Sequence, residues 1–260
     1  MSKILAITNQ KGGVGKTTTS VNLAASLAAA KQRVLLIDLD PQGNATMGSG
    51  INKADLEMTI YDVLLGEKSV AEARITSEAG KYDILPANRE LAGAEIELVD
   101  VEGREMRLKE ELNEVLSEYD YILVDCPPAL NLLTLNGLCA ARSVMIPMQC
   151  EYYALEGLSD LVNTIRKVRE NLNPELEIEG LLRTMFDPRN ALAQQVSDQL
   201  QQHFGDKVYR TVIPRNVRLA EAPSFGIPAL YHDSQSKGTL AYLALAGEML
   251  NNATAQVVAA

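Results

Sequence analysis

Seven short apolar runs bounded by turn residues recur along the chain, at residues 4–8, 34–38, 82–85, 121–125, 144–148, 180–186 and 208–213. Each reads as a buried strand. Between most of them lie longer stretches with helical spacing, at 17–30, 104–117, 155–172 and 190–204. Strand and helix therefore alternate, which predicts an α/β fold: one doubly wound, mostly parallel sheet with helices on both faces. No internal repeat, long Gly/Pro/Ser linker or low-complexity block interrupts the pattern. Residues 1–250 are expected to form a single domain, with 251–260 as a flexible C-terminal tail.

The sharpest local signal is Asn9-Gln10-Lys11-Gly12-Gly13-Val14-Gly15-Lys16-Thr17-Thr18, which follows the first predicted strand and opens the first predicted helix. That context is what a P-loop requires. Glycines let the backbone curl so that successive N–H groups face one cavity, and the helix N-terminus adds positive potential for phosphate oxygens. Gln10 stands where the general pattern has its first glycine, so Gly12 and Gly13 are expected to supply the flexibility. Lys16 would neutralise the β and γ phosphates, and the Thr17 hydroxyl would bind Mg²⁺. Lys11 cannot easily share the pocket of Lys16. Either it reaches the nucleotide of a second subunit, as an arginine finger does, or it stays exposed beside the anion site, and spacing alone leaves both open.

Two further runs end in acids. Residues 34–38 lead into Asp38-Leu39-Asp40-Pro41-Gln42-Gly43, and residues 121–125 lead into Asp125-Cys126-Pro127-Pro128. Strand ends of this kind line the ligand crevice of an open parallel sheet. Asp125 has the context of a Walker B carboxylate, holding Mg²⁺ directly or through water, and Asp40 is placed to orient an attacking water.

Composition narrows the alternatives. The formal net charge of −10 argues against a general polyanion binder, and 5% aromatic residues with no Trp argue against stacking platforms for single strands. Yet charge is uneven: residues 90–118 carry a balance of −7, and residues 183–218 one of +3. Cys126, Cys139 and Cys150 lack the close pairs of zinc and many iron–sulfur sites, and two histidines make multi-histidine metal centres unpromising. The apolar run at 4–7 breaks too soon for a signal peptide, so reduced thiols and a cytoplasmic protein are expected.

The deviant Walker A segment 11–18, the segment 38–46, Asp125-Cys126-Pro127-Pro128, the segment 149–157, and the segments 212–219 and 221–224 together closely resemble the ParA/Soj chromosome-partitioning ATPases. The match runs from residue 3 to about residue 250. This resemblance implies an ATP-dependent homodimer with Mg²⁺ as cofactor. In it Lys11 contacts the other subunit's nucleotide, Gly12, Gly13, Val14, Gly15, Lys16, Thr17 and Thr18 hold the phosphates, and Asp40 serves hydrolysis. It implies that Pro214, Arg215 and Asn216 form the adenine-side loop, and that Arg189 and Arg218 bind double-stranded DNA without sequence preference. A ParB-type centromere-binding partner and a nucleoid-associated location follow from the same resemblance. Rival readings are a MinD-type membrane ATPase, for which residues 251–260 lack any Lys or Arg, a metabolic P-loop ligase, and an iron–sulfur ATPase.

Overall fold

The computed structural model describes residues 2–259, with side chains through residue 253. Eight strands form one sheet: β1 (Lys3–Ile7), β2 (Val34–Asp38), β3 (Ile75–Ser77), β4 (Tyr82–Leu85), β5 (Tyr121–Asp125), β6 (Ser143–Gln149), β7 (Glu177–Phe186) and β8 (Val208–Pro214). Their order is β3-β4-β2-β5-β1-β6-β7-β8, and every pairing is parallel except β3 with β4. This is the P-loop NTPase architecture expected. β3 is an addition that the sequence pattern does not reveal, since three residues on an edge carry too little periodicity.

Both faces of the sheet are buried. Along β1, Ile4 and Ala6 join one core while Leu5 and Ile7 join the other; Ile122 and Val124 are separated from Tyr121 and Leu123 in the same way. Such two-sided burial explains why these strands read as continuous apolar runs. On one face the helix Ala154–Asn171 buries Leu158, Leu161, Ile165 and Val168, one apolar stripe at helical spacing. On the other, helix α1 (Lys16–Ala29) packs Leu23, Ala24 and Leu27 against Leu5 and Ile7.

Two expectations need adjusting. The stretch 104–117 is a chain of short turns, with Arg104–Met106 and Leu116–Glu118 in 3₁₀ form around a single α-helical segment, Arg107–Leu112. The boundary expected after residue 250 falls inside a helix running Lys237–Ala259, whose Tyr242, Leu245, Ala246 and Met249 are buried against the core behind α1.

The chain leaves β1 for β2 on one side, returns through β5, and then passes β1 to form β6, β7 and β8 on the other side. Strand order thus switches at β1, and the loop that leaves β1 opens on the crevice there.

Candidate nucleotide-binding site

Register alone gathers the acids. Asp125 at the end of β5 stands beside Ile7 of β1 and beside Asp38 of β2. Both Asp38 and Asp125 are fully buried, and the loop of residues 9–15 begins just past Ile7.

That loop takes its shape from Gly13 (φ 73°) and Gly15 (φ 90°), both left-handed. Gly12 has no positive φ, and a Cβ there would meet nothing within 4 Å, so the flexibility assigned to Gly12 and Gly13 belongs to Gly13 and Gly15. Gln10, at the first glycine position, is exposed. Hydrogen bonds to neighbouring strands hold the loop. Asn9 Nδ2 donates to the Pro147 carbonyl at 2.8 Å, Gln149 Nε2 to that of Gly13 at 3.1 Å, and Thr184 Oγ1 to that of Val14 at 2.7 Å. α1 then starts with no side-chain cap and no acid in its first turn. Its leading amides, Thr18 among them, are left as donors for an anion.

Lys16 is 7% exposed, and its Nζ donates to the Lys11 carbonyl at 3.2 Å across the loop. Burial lowers its pKa, opposed by the charges of Asp125 and Asp40. Thr17 Oγ1 donates to Asp125 Oδ2 at 2.7 Å, and Ser20 Oγ to Asp125 Oδ1 at 2.8 Å. Asp38 Oδ2 accepts from the Thr46 amide and hydroxyl, both at 2.8 Å, and its Oδ1 accepts from the Asp40 amide. Desolvation pushes both buried carboxyls up, and each is raised further by a neighbouring acid. Asp40 lies past the end of β2, partly exposed, with Oδ1 accepting from the Gln42 amide at 2.9 Å.

The structure therefore brings Lys16, Thr17, Asp40 and Asp125 together. Lys11 is elsewhere: its Nζ sits 2.5 Å from Glu151 Oε2 at the surface. Pro214 ends β8 and Arg215 is exposed. Asn216 caps the helix Val217–Glu221 through its Oδ1, while its Nδ2 makes no hydrogen bond among the described residues. Arg189 is paired with Asp187 at 2.8 Å, and Arg218 lies between Glu221 at 2.8 Å and Asp233 at 3.3 Å. Sequence reasoning missed Ser20, Thr46, Thr184 and Glu151. Ser20 had a geometric signal, lying three residues after Thr17 and so on the same helix face, while Thr46 and Glu151 fall inside the family-like segments 38–46 and 149–157 with no role attached.

Fold and loop together define a P-loop nucleotide-binding protein. A family model described as an AAA domain matches residues 2–178. The sporulation initiation inhibitor protein Soj of Bacillus subtilis is 57% identical over 252 residues, covering 97% of this chain and 100% of its own. The chromosome partitioning protein ParA of Myxococcus xanthus is 52% identical, covering 98% and 90%. The chain belongs to the ParA/Soj family of chromosome-partitioning ATPases.

Among solved structures, cobyrinic acid a,c-diamide synthase from Mycobacterium smegmatis with bound ATP analog and magnesium superposes with a TM-score of 0.86 at 36% identity, covering 98% of this chain and 96% of that one. A plasmid partition protein of Borrelia burgdorferi bound to AMPPNP gives a TM-score of 0.81 at 28% identity, covering 97% and 100%.

Proposed function

We propose that this protein is a Mg²⁺-dependent ATPase that dimerises on ATP, holds double-stranded DNA without sequence preference, and lets go after hydrolysis stimulated by a ParB-type partner. The observation that carries the reading is the contact of Thr17 with Asp125 beside the buried ammonium of Lys16.

The residues fit the cofactor. Among the described residues no three His, Cys, Asp or Glu side chains gather where they could hold a metal ion. Oxygen donors are in place all the same: the Thr17 hydroxyl with the Asp125 carboxylate behind it, the kind Mg²⁺ takes beside nucleotide phosphates. Thr17 would be its protein ligand. Asp125, both of whose oxygens accept hydrogen bonds from hydroxyls, orients Thr17 from behind. Bound Mg²⁺ would draw charge from the β and γ phosphate oxygens.

The chain's own groups do the rest. The amides of the loop and of the first turn of α1 bind phosphate oxygens, and Lys16 exchanges the Lys11 carbonyl for them. Asp40 accepts a hydrogen bond from the attacking water and holds it in line. Lys11 completes the site of a second copy, and the loop at Pro214, Arg215 and Asn216 contacts the base.

DNA release follows from avidity. A chain of net charge −10 holds DNA weakly through Arg189 and Arg218, each already paired with acids; two copies on one face hold it together. A nucleoid-associated, cytoplasmic location goes with that role.

A second reading has its own support, because one similar solved structure is a cobyrinic acid a,c-diamide synthase, and a metabolic ligase would use the same phosphate loop. The deciding experiment is an ATPase assay with DNA and a ParB-type protein added separately and together. Turnover that rises most with both supports partitioning. Turnover that ignores both and appears only with a small carboxylic acid and an amine donor supports the ligase.

A further inference from the structure

The segment Gln149-Cys150-Glu151-Tyr152-Tyr153, which leaves the end of β6, touches the phosphate loop twice. Gln149 Nε2 binds the Gly13 carbonyl, and Glu151 Oε2 meets Lys11 Nζ at 2.5 Å. The two contacts differ in kind. The first steadies the backbone of the loop, whereas the second occupies the side chain that the dimer reading needs elsewhere. Held at Glu151, the ammonium gives part of its charge and donor capacity to its own chain, and less is left for phosphate oxygens in another.

The pair is built to open. Lys11 is 48% and Glu151 51% exposed, and the neighbouring Tyr152 and Tyr153 are exposed too, packed edge to face on each other. Nothing in the core must move for Lys11 to swing away. An exposed ion pair is weak, so it sets a threshold rather than a block.

Resting on the dimer reading above, we infer that Glu151 is a positioning residue: it keeps Lys11 in reserve in the single chain and so sets the protein concentration at which ATP joins two copies. Release of Lys11 is then part of the cost of dimerisation, repaid when its ammonium reaches the second nucleotide.

The test is sedimentation velocity on the full chain with Mg²⁺ and a nonhydrolysable ATP analogue, comparing wild type with Glu151→Gln. The variant is expected to reach half-dimer at a protein concentration lower by about two- to fivefold, the range of an exposed pair. In parallel, acetylation of Lys11 by an N-hydroxysuccinimide ester, followed by mass spectrometry on the nucleotide-free monomer, is expected to be faster in Glu151→Gln. If wild type dimerises and the variant matches it or dimerises less readily, the role of Glu151 is overturned. Unchanged labelling of Lys11 overturns it as well, whatever the dimer does. A wild type that stays monomeric at every concentration overturns the dimer reading, and this inference with it.

Discussion

At the carboxyl end of the sheet the chain buries two carboxylates, Asp38 and Asp125, in adjacent registered positions, satisfied by hydroxyls and amides and in no ion pair among the described residues. At the amino end it opens a cavity of about 1060 Å³, walled by Lys3 with Glu179, Arg33 with Asp120, and Arg142 with Glu175. Three acid–base pairs are closed around that space, each in contact with water. Those three pairs already satisfy one another and leave their own charges little to gain from a ligand. At the phosphate loop, burial without pairing leaves an electrostatic deficit that a cation and a phosphate tail can repair. On the proposed reading, that unrepaired charge marks the chemical end of this molecule.

The first way to break this contrast is to compare turnover after substitution at each end. Asp40→Ala is expected to cut ATP turnover by about 10²–10⁴-fold while leaving ATP-dependent dimerisation in place. Steady-state phosphate release and sedimentation measure the two. A variant that hydrolyses ATP normally would remove Asp40 from the mechanism.

The second concerns pH. The folded-state pKa values of Asp38 and Asp125 are raised to about 6 and about 7, so the folded chain keeps protons that the unfolded chain has released. The contribution of this pair to the stability of the nucleotide-free protein therefore falls as pH rises from about 4 and levels off above about 7. Asp125→Asn should raise the Tm at pH 8 and flatten its pH dependence, while weakening Mg²⁺-dependent nucleotide binding. Thermal unfolding across pH 4 to 8, about the span of the two titrations, checks it. A Tm lowered by Asp125→Asn at pH 8 would contradict it.

The third turns to the amino end. Glu179 accepts from Lys3 at 2.7 Å, Ser143 at 2.6 Å and Tyr209 at 3.1 Å. Glu179→Ala is expected to destabilise the fold by about 1–3 kcal/mol, with ATP turnover by the folded fraction unchanged. Urea unfolding and an ATPase assay separate the two effects.

How legible each end was follows from the same physics. The strand runs showed in the sequence because both faces of the sheet are covered, and β2, β4 and β5 begin and end where their apolar runs do. The helix Leu132–Ala140 was missed because it is apolar nearly all round, buried on most sides, and so has no stripe at helical spacing. The stretch 104–117 was read as one helix. Contacts from that missed helix shape it: Asn136 Oδ1 accepts from the Leu108 amide, and Asn136 Nδ2 donates to the Arg104 carbonyl. Such long-range bonds have no local signature. In the site, Lys16, Thr17, Asp40 and Asp125 were legible because glycine turns and strand ends have fixed spacing. Thr184 and Glu151 come from distant segments and were not legible, nor was Thr46, which reaches Asp38 from eight residues on through a turn with no local signature.

The smallest effect sharpens the contrast most, because its sign is opposite. Asp120 accepts from the Arg33 guanidinium at 2.8 Å and from the Arg33 amide at 2.8 Å. The Arg33 side-chain hydrogen bond holds its carboxyl below the usual range. A depressed pKa contributes stability that is present above the unfolded value of about 4 and lost as pH falls through the folded one. Acid thus weakens the amino end while it relieves the buried carboxylates at the phosphate loop. Because the pair is largely in water, salt screens it and its contribution is slight. Asp120→Asn should lower the Tm at pH 7 by no more than about 2 °C, less still in 0.5 M salt, and should not alter the fall in stability between pH 5 and 7. A variant that abolished this fall would place the titrating charge at the wrong end of the sheet.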